Sequence, residues 1–178
     1  MLPPVHLVVG YLSYSLYSRW RYGRPPVARL AAVAVLASAV PDLLDRPLYW
    51  LSITPVGRTV GHSLLFALPL IALVWLVARR RGRPRSGVAF AIGYLSHLAS
   101  DVPWHLLSEE YHELGFLLWP VTHMPPYTGT TTLGAVAGIE VTTLWLEALV
   151  VGCGLALWVA DGAPGAEPVL ARLDARRG

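Results

Sequence analysis

The chain has 178 residues, of which 54% are hydrophobic and 14% charged, with a mean hydropathy of +0.51. Soluble domains average about 45–50% apolar and about 25% charged residues, so the composition excludes an ordinary soluble domain and points to one membrane-embedded unit. All fourteen basic residues behind the net charge of +3 are arginines. They fall between apolar runs, which removes the nucleic-acid reading, and the single Cys153 leaves neither a disulfide framework nor a thiolate metal site.

Residues 1–17 (MLPPVHLVVGYLSYSLY) are apolar, without a basic leader or a small-residue cleavage site, and read as a retained first helix whose polar exception is His6. A basic turn with Arg19, Arg21, Arg24, Pro25 and Pro26 follows. Residues 27–40 form a second apolar helix that runs into Pro41-Asp42-Leu43-Leu44-Asp45. If the helix continues through Pro41, the two aspartates share a face at i, i+3; if it stops, they make a tight acidic turn. In both cases the carboxylates are neighbours.

A polar loop over 46–60 leads to a third helix over 61–78, opened by His62-Ser63, where Ser63 can cap the free N–H groups of the first turn. Residues 79–85 (RRRGRPR) are the strongest linker, and a fourth helix is expected over 88–107. A long extramembrane segment covers 108–132, with Trp104, Trp119 and Tyr127 as interfacial aromatics. Residues 133–160 make a fifth span, followed by a polar, mobile tail over 161–178. The expectation is an all-α, polytopic membrane bundle of about five transmembrane helices over residues 1–160, with no internal repeat.

Arginines orient it. With five spans, Arg19 to Arg29, Arg79 to Arg85 and Arg172 to Arg177 share one side, and only Arg46 and Arg58 lie on the other. The positive-inside rule makes the arginine-rich side cytoplasmic and puts the N-terminus outside a multi-pass protein of the cell membrane. His6, Asp42, Asp45 and His62 then gather near the outer surface, at the ends of three helices.

The fourth helix supplies the rest. Its stretch 93–105 (GYLSHLASDVPWH) places His97, Asp101 and His105 at i, i+4 and i+8 on one face, although Pro103 bears on the last turn. Ionisable groups inside an apolar helix are costly unless compensated by a metal, a proton or each other. Imidazole and carboxylate together suit zinc, manganese or iron, and three aspartates beside three histidines suffice for one or two ions. Such a site supports hydrolysis. His6, Asp42, Asp45, His62, His97 and Asp101 are the expected metal ligands, with Arg58 as an anion clamp and His105 as a general acid or base. Glu140 and Glu147, seven apart on the fifth helix, are further candidates for the site or a proton path, whereas Glu109, Glu110, His112 and Glu113 read as a solvated face.

The order His6, Pro41 to Asp45, Arg58 before His62-Ser63-Leu64-Leu65, Gly93-Tyr94 with His97 to Asp101, and Leu118-Trp119-Pro120 resembles the membrane-bound metal-dependent hydrolases of the YdjM type over about residues 6–120. More distantly, the ligand order is similar to that of zinc-dependent phospholipase C and the P1-type nucleases. This resemblance implies hydrolysis of a phosphoester, with the bilayer pointing to a lipid-linked substrate. The chain departs from the pattern at Gly57, where the family usually has His, at Gly61, where it has Thr, and in lacking a later His-xxx-Glu pair. His105, His112, His123 or Glu140 are the available replacements. Two rival readings are a metal or proton transporter, which should show repeats and broken helices, and a non-catalytic scaffold.

Overall fold

The computed structural model describes residues 2–107, 111–122 and 141–166. It is all-helical, as expected, with five α-helices: α1 (Pro3–Tyr22), α2 (Ala28–Trp50), α3 (Leu64–Arg80), α4 (Pro84–Leu107) and α5 (Val141–Ala160). A 3₁₀ segment, Tyr111–Leu118, lies within the stretch expected to be extramembrane. No strand occurs among the described residues.

Local chemistry sets the boundaries. Proline occupies the first two positions of α1, where the missing N–H costs nothing, and Gly23 ends the helix in a left-handed conformation (φ 66°) with its N–H on the Arg19 carbonyl. The first turn is therefore shorter than the sequence suggests, because Arg19 and Arg21 are helical. The arginine linker also shrinks to residues 81–83, since arginine is a good helix former and the reversal is made at Gly82 (φ 68°). The α2 helix runs on through Pro41 and Pro47. Of the two readings of the acidic pair, the helical one holds, one turn separating Asp42 from Asp45.

Helix α4 is the hub, packed against α1, α2 and α3, while α5 packs only on α1 among the described residues. Small residues allow the closest approaches. A Cβ at Gly93 would run into the backbone of Ala34, and one at Gly10 would meet Ser38 at 2.7 Å. Arg85 lies over the ring of Tyr22, 4.8 Å from its centroid, and Asp161 just past α5 is ion-paired with Arg19. These contacts bring the arginine-bearing ends of α1 and α4 together with the end of α5, opposite the end that carries the histidines.

Five transmembrane spans were expected, but no helix among the described residues is long and apolar enough to cross a membrane. Helix α3 has 17 residues, about 25 Å against a hydrocarbon core of about 30 Å. Helix α2 is longer but holds Arg29, Asp42, Asp45 and Arg46 within its own length rather than in flanking loops. The opening of the expected fifth helix, residues 133–140, and the end of the tail, residues 167–178, lie outside the described residues.

Candidate metal centre

Four segments bring the histidines and aspartates to one place. His6 comes from the second turn of α1, Asp42 and Asp45 from the last turns of α2, His62 from the bend before α3, and His97 and Asp101 from α4. His6, Asp45, His62, His97 and Asp101 are all buried, whereas the side chains of Asp42 and Arg58 keep 21% and 23% of their surface exposed. The cluster therefore opens to its surroundings past Asp42 and Arg58.

Asp45 builds the bend that carries His62. Its Oδ2 accepts from the backbone N–H of Thr59 (2.7 Å) and of His62 (3.2 Å), and its Oδ1 from the N–H of Gly61 (2.8 Å) and the Thr59 hydroxyl (3.2 Å). His62 Nδ1 joins them, 2.7 Å from Oδ2. An ionised carboxylate only accepts, so the His62 proton sits on Nδ1. Ser63 then caps α3 by accepting from the Leu65 N–H, while its hydroxyl donates to the Trp119 carbonyl at 2.6 Å. That bond ties the 3₁₀ segment over the site, with Phe116 edge-on to His62.

The other two rings are fixed by the same logic. His97 Nδ1 lies 2.6 Å from the carbonyl of Ser38, which can only accept, so Nδ1 carries the proton. Ser100 spends its hydroxyl hydrogen on the His97 carbonyl (2.8 Å) and must accept from His6 Nδ1 at 2.9 Å. These tautomers follow from the hydrogen-bond network. With neutral rings, all three Nε2 atoms are left as lone pairs turned toward the carboxylates.

They converge tightly. His62 Nε2 and His97 Nε2 are 3.0 Å apart. Asp101 Oδ2 lies 3.7 Å from the first and 3.9 Å from the second, its Oδ1 lies 3.4 Å from His6 Nε2, and Asp42 Oδ1 lies 3.9 Å from His62 Nε2. The ligand atoms of His6, Asp42 and His97 lie within 4.8 Å of one another, as do those of His62, His97 and Asp101. Facing lone pairs and carboxylates repel unless a cation lies among them. The donor set of three imidazoles and two carboxylates fits a divalent ion such as zinc, manganese or iron.

A family model described as YdjM inner membrane protein matches residues 1–166. The chain belongs to that family. No curated protein and no solved structure matches it. Membership extends the resemblance seen over residues 6–120 through α5, and it identifies the chain as one of a family of inner membrane proteins.

Of the residues singled out in this YdjM-family chain, five converge: His6, Asp42, His62, His97 and Asp101. Asp45 lies behind His62, with both oxygens taken up by hydrogen bonds. Arg58 reaches Asp101, its Nε 3.3 Å from Oδ2. The side chains of His105 and His112 lie outside the described residues, as do His123 and Glu140 altogether. Glu147 is buried, is not among the converging ligand atoms, and accepts from the Leu2 N–H at 3.0 Å. Ser38 and Ser100, which fix two of the three rings, carried no signal of their own beyond standing one turn before Asp42 and one residue before Asp101.

Proposed function

We propose that this protein is a membrane-embedded, metal-dependent hydrolase of a phosphoester or lipid-linked substrate, with its site open to the outer face. The observation that carries the reading is the convergence of three proton-free Nε2 atoms with two carboxylates. His6, Asp42, His62, His97 and Asp101 would hold the metal. A divalent ion there would supply Lewis-acid polarisation of a phosphoryl oxygen and lower the pKa of a coordinated water. Asp45, Ser38 and Ser100 keep the three rings in the tautomer that a cation requires. Arg58, half turned outward beside Asp101, offers a planar fork to a substrate anion. His105, or a carboxylate left free of the metal, is the proposed proton carrier.

Burial supports a bilayer setting. The interior holds histidines, aspartates and serines, while Leu16, Leu36, Leu68, Leu73, Leu149, Leu155 and Val159 are each more than half exposed. An apolar exterior around a polar interior suits lipid as solvent. Short helices are accommodated by local thinning of the bilayer. The arginines gathered at the far end make that end cytoplasmic, which supports an external N-terminus.

The deciding experiment is elemental mass spectrometry on detergent-purified protein, beside His97→Ala and Asp101→Ala variants that retain the wild-type melting profile. A stoichiometric zinc, manganese or iron content that both variants lose is the expected result. An equally metal-free wild type, purified without chelators, would overturn the reading and leave a shared proton between His62 and His97.

A further inference from the structure

Two cavities flank the same helix pair and share a wall residue. The first, about 340 Å³, lies between α1, α2 and α5 and is walled on α2 by Ala28, Ala31, Ala32 and Val35 and on α5 by Leu155 and Trp158. The second, about 390 Å³, lies between the start of α1 and the end of α2 and is walled by Ala39, Leu43, Arg46 and Trp50. Leu7 of α1 lines both. Along α2 the walls recur at positions 28, 32, 35, 39, 43, 46 and 50, the three- and four-residue steps of one helix face. The two cavities thus lie end to end along one face of α2, over about 33 Å at about 1.5 Å per residue, and are taken together below as the α1–α2 groove.

Its two ends differ in chemistry. The α5 end is lined almost wholly by carbon, with small alanines making the space. The other end holds Asp42, a member of the histidine cluster, and Arg46, whose Nε lies 3.5 Å from Asp42 Oδ1. The volume falls within the range of ligand pockets, about 300–1,000 Å³. A slot of this shape, apolar along its length with a cation and the candidate metal centre at one end, matches one amphiphile: an acyl chain bearing a phosphate.

We propose that the α1–α2 groove seats one acyl chain of a membrane phospholipid, whose phosphate lies against Arg46 beside Asp42. The proposal rests on the hydrolase reading and makes a phospholipid its substrate class, entering sideways from the bilayer. Hydrolysis would add water across one P–O ester bond, with hydroxide going to phosphorus and the proton to the departing oxygen. Val35 and Leu155 set how much chain the groove admits, and Arg46 selects the anionic head.

The test uses the full chain in detergent with phosphatidylglycerol carrying a diazirine midway along one acyl chain, followed by mapping of the photolabelled residues. Label concentrated on the α1–α2 groove, reduced about tenfold or more by Val35→Trp and unchanged by Leu73→Trp on the outer face of α3, is the expected result. Label spread evenly over the outward faces and indifferent to Val35→Trp would overturn the groove. Should Val35→Trp fail to fold, Leu155→Trp fills the same space from α5. Metal content, measured on the same samples, separates the two ideas. Groove labelling in a metal-free wild type would sink the hydrolase and keep the lipid seat; bound metal with no groove labelling would do the reverse.

Discussion

The Nδ1–H of His97 donates to the backbone carbonyl of Ser38 at 2.6 Å, joining α4 to α2 at the floor of the histidine cluster. The bond depends on a contact one turn earlier on each helix, where Gly93 lies against the backbone of Ala34. Without a side chain at 93 the helices come close enough for an imidazole to reach a main-chain carbonyl that an intact helix would otherwise keep to itself. Helix–helix spacing and ring tautomer are thus set by the same pair of turns.

Gly93→Ala therefore strains the fold and the site together. The added methyl meets backbone, which cannot rotate away, so the cost falls at the upper end of the overpacking range, about 1–3 kcal/mol. Thermal unfolding in detergent should show a lower midpoint. Metal content should fall in the same sample, because His97 is pushed off Ser38. A variant with the wild-type midpoint and wild-type metal would contradict the close approach.

Asp45→Asn tests the separation of ligand from support. An amide cannot accept from three backbone N–H groups, a hydroxyl and a ring together, and each buried donor left without a partner costs about 1–3 kcal/mol. His62 also loses the group that holds its proton on Nδ1. Metal affinity should weaken by about 10–100-fold, the usual effect of removing an orienting partner. Asp42→Asn, which replaces a proposed ligand but leaves the bend intact, should lower affinity with little change in stability. Equal loss of stability in the two variants would show that Asp45 does not organise the bend.

Much of this was legible in the sequence, for identifiable reasons. Five apolar runs separated by basic or polar segments pointed to the five helices, and the i, i+4 spacing of His97 and Asp101 put both on one face. The spacing could not show that Asp45 turns toward the backbone of residues 59–62 while Asp42 turns toward His6 and His97. Both are aspartates one turn apart, and their difference arises from the path of a loop that local propensity does not specify. Helix ends were misjudged where arginine was read as punctuation, since its long apolar stem sits comfortably in a last helical turn. No described helix meets the length and apolarity of a span, in α2 because Asp42, Asp45 and the flanking arginines lie inside the helix.

Asp161 anchors α5 to α1 at the arginine-rich end, accepting from Tyr11, Ser15 and Arg19. Burial opposes its ionisation, yet the hydrogen bonds from Ser15, Tyr11 and Arg19 outweigh it and hold the carboxyl below its usual range. The folded state therefore binds fewer protons than the unfolded one. The stabilisation is fully present above the unfolded carboxyl pKa of about 3.9 and is lost as pH falls through the lowered folded value. Unfolding midpoints of the wild type should drop below about pH 4, whereas Asp161→Asn should start lower at neutral pH and change less over that window. Parallel acid limbs in the two proteins would remove Asp161 from the linkage.

One ion per chain is the expected stoichiometry, and His97 is the reason. The two groups of ligand atoms share this residue. Its Nδ1 is committed to Ser38, so it offers Nε2 alone, and an imidazole nitrogen binds a single ion. On that reading His6 with Asp42 on one side and His62 with Asp101 on the other would surround one centre rather than form two. Titration of the metal-stripped protein with zinc should saturate at one equivalent, and His6→Ala should weaken that single event instead of deleting one of two. Two equivalents of equal affinity, one of them surviving in His6→Ala, would mean that the halves bind separately.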